Sequence, residues 1–397
     1  MRFLIQMGYG MMGMNLELLA NFGDGRQSGV IISPRTLTLD QIESHARDIL
    51  SLGATLLYDS CFYSPDTNRS KIVGLPYWDG FNSNSDWAGE DGVDFCRRVI
   101  QYQVDTLKVT EVLLPGSYTN VCNDGWLSMH YNFAQVGHDM GVDIPVYATI
   151  AIGPDLIRNA TLFDTILNEI VSYPVDGIYF LYRPPEDGFL CKNDLFLTNL
   201  LCAFLSLSLA GKKIILGYAN QQDLVFAAAG VGTIATGNYR NVRSFNPDIF
   251  YEQEPADSRR RKWYFDGQSL CEFRCEQLEV AYQKFGMKGL FGPATKYSQD
   301  MLLSPYPNDI IWPESSAFKH FITVLRNQWL SFAETEKRLR HGTVELLLRM
   351  ADQRITEYQK HKLPLLDRAG QTVAAIPAWT NALQSFIQLE SLRLVDL

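Results

Sequence analysis

Histidine is scarce in this chain: there are six in 397 residues, at 45, 130, 138, 320, 341 and 361. None falls at the end of an expected strand, and no HxH or HExxH spacing occurs. Zinc-hydrolase chemistry and a Ser-His-Asp arrangement both need a positioned imidazole, so the sequence argues against both. Long apolar runs are missing too. The greasiest stretch, 199–209, is cut off by Gly211-Lys212-Lys213 and falls well short of the roughly 20 residues a spanning helix needs. It reads as a buried helix, and no membrane partner is expected. The opening Met1-Arg2-Phe3-Leu4-Ile5-Gln6 reads as a strand rather than a signal peptide, so the expected compartment is the cytoplasm.

Paired cysteines are also lacking. The seven lie at 61, 96, 122, 191, 202, 271 and 275, and the one close pair, Cys271 and Cys275, has no second pair to complete a zinc site. That CxxxC is expected on a helix, in a structural role, with all seven thiols free. No Gly-rich dinucleotide fingerprint follows any expected strand. Gly8-Tyr9-Gly10 comes nearest, but it lacks the third glycine and the acidic partner, so no cofactor is expected. Positive charge is in deficit: 35 Lys and Arg face 44 Asp and Glu, a net charge of −9. Such a surface is not built for general polyanion binding. One local exception exists, where Arg240, Arg243 and Arg259-Arg260-Arg261-Lys262 lead into Trp263-Tyr264-Phe265. Basic residues running into aromatics suit phosphates and bases, and they equally suit a solvated loop.

What the sequence has in quantity is alternation. Short aliphatic runs ending in Gly, Pro, Asp or Ser are followed by amphipathic stretches. The runs are Phe3–Met7, Val30–Ile32, Thr55–Asp59, Glu111–Pro115, Val146–Ile150, Gly177–Tyr182, Lys213–Gly217 and Gly232–Gly237, with Met287–Phe291 as a closing strand. Near-continuous apolar strands between helices mean a parallel sheet buried on both faces. Eight or nine of them predict an α/β fold of the (βα)8 TIM-barrel type. The barrel is expected over 1–312, with insertions at 60–92 and 238–268 and a helical extension over 313–397. In that extension Phe318, Phe321, Ile322, Leu325, Trp329 and Phe332 recur at helical spacing, which reads as core packing against the barrel.

In such a barrel the chemistry sits at the C-terminal strand ends. The polar residues there are Ser33 and Arg35, Asp59, Tyr118, Thr149, Tyr182 and Arg183, then Thr236, Asn238, Tyr239 and Arg240. Asp59 is the sharpest. A carboxylate at a desolvated barrel mouth serves as a general base or stabilises an oxocarbenium ion, whereas a strand-end Asp can also merely cap the next helix. Arg183 opens a stiff loop, Arg183-Pro184-Pro185-Glu186-Asp187, that suits either a phosphate grip or a plain surface turn.

The Asp59-Ser60 pair at a strand end resembles the Asp-Ser segment of tRNA-guanine transglycosylases and their DNA-modifying relatives, in which that aspartate contacts the target base. The stretch from Leu216-Gly217 through Ala227–Val231 to Thr236-Gly237-Asn238-Tyr239-Arg240-Asn241 resembles the strand and loop that carry the nucleophilic aspartate in transglycosylases. Here Ala235 and Thr236 stand at that strand end, and the cysteine-rich zinc motif is missing. A barrel that keeps the base-side carboxylate without the nucleophile is expected to hydrolyse rather than exchange a base. Together with Gly8-Tyr9-Gly10, Ile32-Ser33-Pro34-Arg35 and Asp59-Ser60-Cys61-Phe62-Tyr63, the chain looks like a phage-defence DNA glycosylase of this barrel class, the type that removes glucosylated hydroxymethylcytosine.

The resemblance, spanning about residues 1–300, implies a DNA partner, base flipping and an abasic product. Asp59 would be catalytic. Ser33, Arg35, Tyr63, Tyr118, Tyr182, Arg183, Asn238 and Tyr239 would bind the substrate. Tyr63, Tyr77, Trp78 and Tyr239 are expected to stack on the base or fill the gap it leaves, and the 79–91 loop to supply a polar pocket. Arg240, Arg243, Arg259, Arg260, Arg261 and Lys262 would neutralise phosphates. Three readings compete with this one: a base-exchanging transglycosylase, a carbohydrate-active barrel with Asp187 as its second carboxylate, and a non-enzymatic binding module.

Overall fold

The computed structural model describes residues 1–65, 70–185, 189–251 and 262–397. Eight short strands form one parallel, nearly closed barrel: β1 (Arg2–Gln6), β2 (Ser28–Ile32), β3 (Thr55–Tyr58), β4 (Val112–Leu113), β5 (Val146–Ile152), β6 (Gly177–Tyr182), β7 (Lys213–Leu216) and β8 (Thr233–Thr236). Their order around the barrel is β3-β2-β1-β8-β7-β6-β5-β4, and Tyr118–Thr119 adds a short bridge on β5. Register is fixed by pairs such as Ile5 with Val30 and Leu4 with Ala235. Apart from the exposed Lys213 and the partly exposed Arg2, every strand residue is buried, which is why the sequence reads as continuous apolar runs rather than alternation.

The seam between β3 and β4 is stitched rather than laddered. Thr110 donates from its backbone N–H to the Leu56 carbonyl at 2.9 Å, while its hydroxyl accepts the Leu56 N–H at 3.0 Å. Beyond the strand ends, the Tyr118 N–H reaches the Tyr63 carbonyl at 2.9 Å. Met287–Phe291 does not close the barrel; it forms a turn in which Gly289 takes a positive φ of 88°, a left-handed conformation no strand contains. β8 closes the ring on β1 instead.

Helices α1 (Met12–Phe22), α2 (Leu39–Ser51), α3 (Glu90–Gln101), α4 (Asp124–Asp139), α5 (Ala160–Ser172) and α6 (Asp194–Leu209) cover the strands. α2 begins where its sequence says it should: Thr38 accepts the Gln41 N–H at 3.4 Å, and Gln41 accepts the Thr38 N–H at 3.0 Å. After β7 the chain makes only a 3₁₀ stretch, Gln221–Ala229, buried throughout. The β8 loop leads to a hairpin, β9 (Trp263–Asp266) and β10 (Cys271–Arg274), then to α7 (Cys275–Phe285). Cys271 is therefore a strand residue, contrary to the helical expectation. Its sulfur faces the carbonyls of Ser269 and Ala369, while that of Cys275 meets Met301.

α8 (Glu314–Ser331) packs on β1, where the Trp329 indole donates to the Arg2 carbonyl at 2.9 Å, and so takes the place of the eighth barrel helix. α9 (Arg340–Lys360) then covers the 3₁₀ stretch, and α10 (Asp367–Glu390) lies along α6 and β10. No helix of the described residues is long and apolar enough to cross a membrane.

Candidate active site

Asp59 is the first residue past β3. Its N–H still bonds the Ile32 carbonyl at 2.9 Å, so the strand ladder aims its side chain at the barrel mouth. It is 3% exposed. One carboxylate oxygen accepts the Cys61 N–H at 2.8 Å and the other accepts the Tyr63 hydroxyl at 2.6 Å. Its local bond is thus a two-residue turn and not a helix cap. Burial pushes the carboxyl up to about 6, against the pull of the hydrogen bonds from Tyr63, Cys61 and Tyr179. No cation pairs with it among the described residues. Asp59 is therefore poised between its two protonation states near neutral pH, as a general acid–base group must be.

Tyrosines wall the carboxylate. The Tyr179 hydroxyl from β6 reaches Gln6 on β1 at 3.1 Å, which carries the polar network across the barrel centre. Gly217 gives Tyr179 its room, since a Cβ there would lie 2.6 Å from the tyrosine ring. Tyr218 follows, and burial, then the Asp59 charge, push its hydroxyl well above the ordinary range. Both Cys61 and Tyr218 hold left-handed backbones, with φ of 57° and 55°. Each costs on the order of 1–3 kcal/mol, and such strain collects where a site needs it. Gln6 Nε2 and Thr236 Oγ1, at the ends of neighbouring strands, are buried without a hydrogen-bond partner among the described residues. Orphaned polar atoms at a barrel mouth mark room for a polar guest or water.

The β8 loop lies over this mouth. Phe245 packs 5.0 Å from Tyr63, 5.5 Å from Tyr218 and 6.0 Å from Tyr118, ring centre to ring centre. Phe250 packs 4.7 Å from Tyr63 and receives the Arg35 guanidinium at 5.8 Å. Arg183 pairs with Asp248 at 3.1 Å. Ser33 contacts the Cys61 sulfur at 3.2 Å. Ser33, Arg35, Asp59, Tyr63, Tyr118 and Arg183 are thus brought together under one loop.

Beside the mouth runs an open cleft of about 740 Å³ between the β8 loop, the hairpin, α8 and α10. Tyr239, Arg240, Lys262, Trp263, Arg274 and Arg368 line it. Arg368 stacks over the Trp263 ring at 4.1 Å and Arg274 lies 5.4 Å from the same ring. Glu272 at its base receives Arg243 and Arg368, each at 3.0 Å. Burial and the nearby Arg368 push Arg240 down to about 10. Burial alone would raise Glu272, but Arg243, Arg368 and Arg240 outweigh it and hold the carboxyl below its ordinary range.

No protein-family model matches the chain. No curated protein matches it in sequence either. The site is therefore read from its own geometry.

Several expected residues serve the fold. Arg243 is buried, its guanidinium 3.4 Å above the Phe321 ring, and is not presented to a phosphate. Tyr77 and Trp78 sit in an aromatic core with Phe62, Trp87 and Phe95, so they cannot stack on a base. Asn238 accepts the Tyr239 N–H at 2.9 Å, and the Tyr239 ring packs on Phe318. Tyr182 donates to Asp223 at 2.5 Å and accepts from Gln222 at 2.9 Å, apart from the Asp59 network. Arg259, Arg260, Arg261 and Asp187 lie outside the described residues. Sequence reasoning missed Gln6, Tyr179, Tyr218, Asp223, Glu272 and Arg368. Of these, Asp223 carried a signal, the Asn220-Gln221-Gln222-Asp223 capping pattern, which pointed to a turn and not to a site.

Proposed function

We propose that this chain is a DNA glycosylase that hydrolyses the N-glycosidic bond of a flipped, modified cytosine and leaves an abasic site. The observation that carries the reading is Asp59: a buried carboxylate with no cation partner among the described residues, held by tyrosines at a barrel mouth, beside a cleft of arginines and aromatics. In this reading an extruded nucleotide enters the mouth as the Phe245–Phe250 segment gives way, at the few kcal/mol that unstacking takes. Ionised Asp59 accepts a proton from water as the water oxygen bonds the sugar carbon and the C–N bond breaks, with the electron pair leaving on the base. Tyr63 and Tyr179 hold the carboxylate in place. Arg240 and Lys262 neutralise flanking phosphates, together with Arg274 and Arg368, which also pair with Asp367 and Glu272 and lie on the Trp263 ring. Glucosylated hydroxymethylcytosine of phage DNA is the base to test first, and antiviral defence the role that follows from it.

The test is an abasic-site assay on glucosylated phage DNA, unmodified DNA and tRNA. Abasic sites confined to modified DNA and absent with Asp59→Ala support the reading. Base release unchanged in Asp59→Ala overturns it. One observation favours a second reading. Asp223 is another buried carboxyl beyond a strand end, pushed up to about 7 by burial, and two such carboxyls are what a glycoside hydrolase needs. Sugar release from oligosaccharides, lost in both Asp59→Asn and Asp223→Asn, would select that reading over the first.

A further inference from the structure

The opposite end of the barrel carries a second concavity that plays no part in the chemistry above. A pocket of about 550 Å³ opens at the N-terminal strand ends, lined by Arg2 of β1, Lys213 of β7, Lys212, Lys337 from the segment before α9 and Arg340, the first residue of α9. Glu111 is the only acidic side chain among its described lining residues. In a protein of net charge −9, five cations around one carboxylate call for a cause.

Local structure accounts for two of the five. Arg2 is neutralised by Glu111, bonds Thr233 Oγ1 at 3.3 Å, and donates to the Tyr147 hydroxyl at 3.3 Å. Lys212 donates to the carbonyls of Tyr173 and Val175 at 2.6 and 3.0 Å, at the C-terminal end of α5, where a cation belongs. Lys213, Lys337 and Arg340 remain. None forms an ion pair among the described residues, and the ammonium groups of Lys213 and Lys337 have no hydrogen-bond partner there. Arg340 spends its Nε on the carbonyls of Phe332 and Thr335, at 3.0 and 3.3 Å, which fixes the fork and leaves its two terminal nitrogens for a ligand. Burial and then Arg340 hold Lys337 below its ordinary range, which fits cations crowded without a counter-ion.

We propose that this floor pocket binds a polyphosphate group, either free or as the tail of a nucleoside di- or triphosphate. Three unneutralised cations, one from β7 and two from the chain around the start of α9, fit an anion with several charged oxygens better than a single carboxylate, and a planar fork matches phosphate geometry. At about 550 Å³ the pocket is of the size that small molecules fill. Tyr147, the only aromatic among its described lining residues, is held by Arg2, so none of these offers a free ring to a base. Recognition therefore runs through phosphate.

The experiment is calorimetric titration of the full chain at low salt with tripolyphosphate, pyrophosphate and a nucleoside triphosphate, supported by thermal shifts. One-to-one binding of tripolyphosphate is expected, weakened about tenfold or more in Lys213→Gln/Lys337→Gln and unchanged in Arg368→Gln of the rim cleft. Similar affinity for the nucleotide identifies free polyphosphate chemistry as the source, and a much tighter nucleotide identifies the nucleotide. The single variant Lys213→Gln, on an exposed side chain, gives a smaller loss in the same direction should the double variant fold poorly. No binding of any of the three at 1 mM overturns the proposal. So does binding that survives the double substitution but is lost in Arg368→Gln, or displacement of tripolyphosphate by short duplex DNA.

Discussion

Asp59 and Glu272 are both fully buried carboxylates, yet their surroundings drive them in opposite directions. Among the described residues Asp59 has tyrosines and a backbone N–H group for partners and no paired cation, so burial wins and the carboxyl rises to about 6. Glu272 faces Arg243, Arg368 and Arg240, so charge wins over burial and the carboxyl stays ionised. The first can exchange a proton near neutral pH; the second is a fixed counter-ion. Burial alone does not make a carboxylate reactive. What decides is whether the fold sets a cation against the carboxylate: it does so for Glu272, and among the described residues it does not for Asp59.

The sharpest way to break this contrast is to remove each charge in turn. Asp59→Asn, nearly isosteric, is expected to lower base release by about 10²–10⁴-fold with the fold intact, as for loss of a general base. Single-turnover kinetics on modified DNA beside a denaturation curve will show whether activity and stability separate. In the wild-type protein the same proton should govern the proposed base release, with the rate falling as pH drops through about 6. Glu272→Gln should do the reverse. It strands a buried Arg243 and should cost about 3–5 kcal/mol of stability, read as a lowered urea midpoint, before any effect on chemistry is considered.

A third measurement concerns linkage. Because the folded-state value for Asp59, about 6, exceeds its ordinary 3.8, the protonated form favours folding. Its contribution is present at low pH and is lost as pH rises from about 4 through 6, amounting to roughly 3 kcal/mol. Asp223, raised to about 7, acts in the same direction. Unfolding free energies between pH 4 and 7 should therefore fall by one proton's slope less in Asp59→Asn than in the wild type, and a parallel pair of curves would count against the desolvated carboxylate. The smallest effect belongs to Arg368→Gln, which should weaken DNA binding and reduce the salt-dependence slope by about 1. An unchanged slope would place the phosphates elsewhere.

Much of the barrel was legible because parallel strands buried on both faces leave uninterrupted apolar runs, and eight of the nine expected runs are strands. Met287–Phe291 misled because its apolar residues surround a glycine that turns the chain. The hairpin was missed because Cys271 and Cys275 read as one helical stretch, although the first ends on a strand and the second opens a helix. The place of Asp59 at the mouth was legible because it closes an apolar strand, and the turn bond to the Cys61 N–H decides against the helix-cap alternative. Its companions were not: Gln6, Tyr179 and Tyr218 lie far apart in sequence and meet only when the ring closes. Arg243 shows the converse. A basic residue in a basic stretch looks solvated, and only the fold reveals Glu272 and Phe321 around it.

The rim cleft has one wall that arrives late. Arg368 and Gln371, on α10, complete a surface whose other parts come from residues 239–243 and 262–274; Arg240 bonds Gln371 at 2.7 Å, and the Trp379 indole ties the helix to the Cys191 carbonyl at 3.0 Å. During synthesis the barrel strands and Asp59 are made well before that wall. A nascent chain still holding α10 inside the ribosome has Asp59 in place but only part of this cleft, so on the proposed reading the carboxylate is made before the grip on DNA is finished.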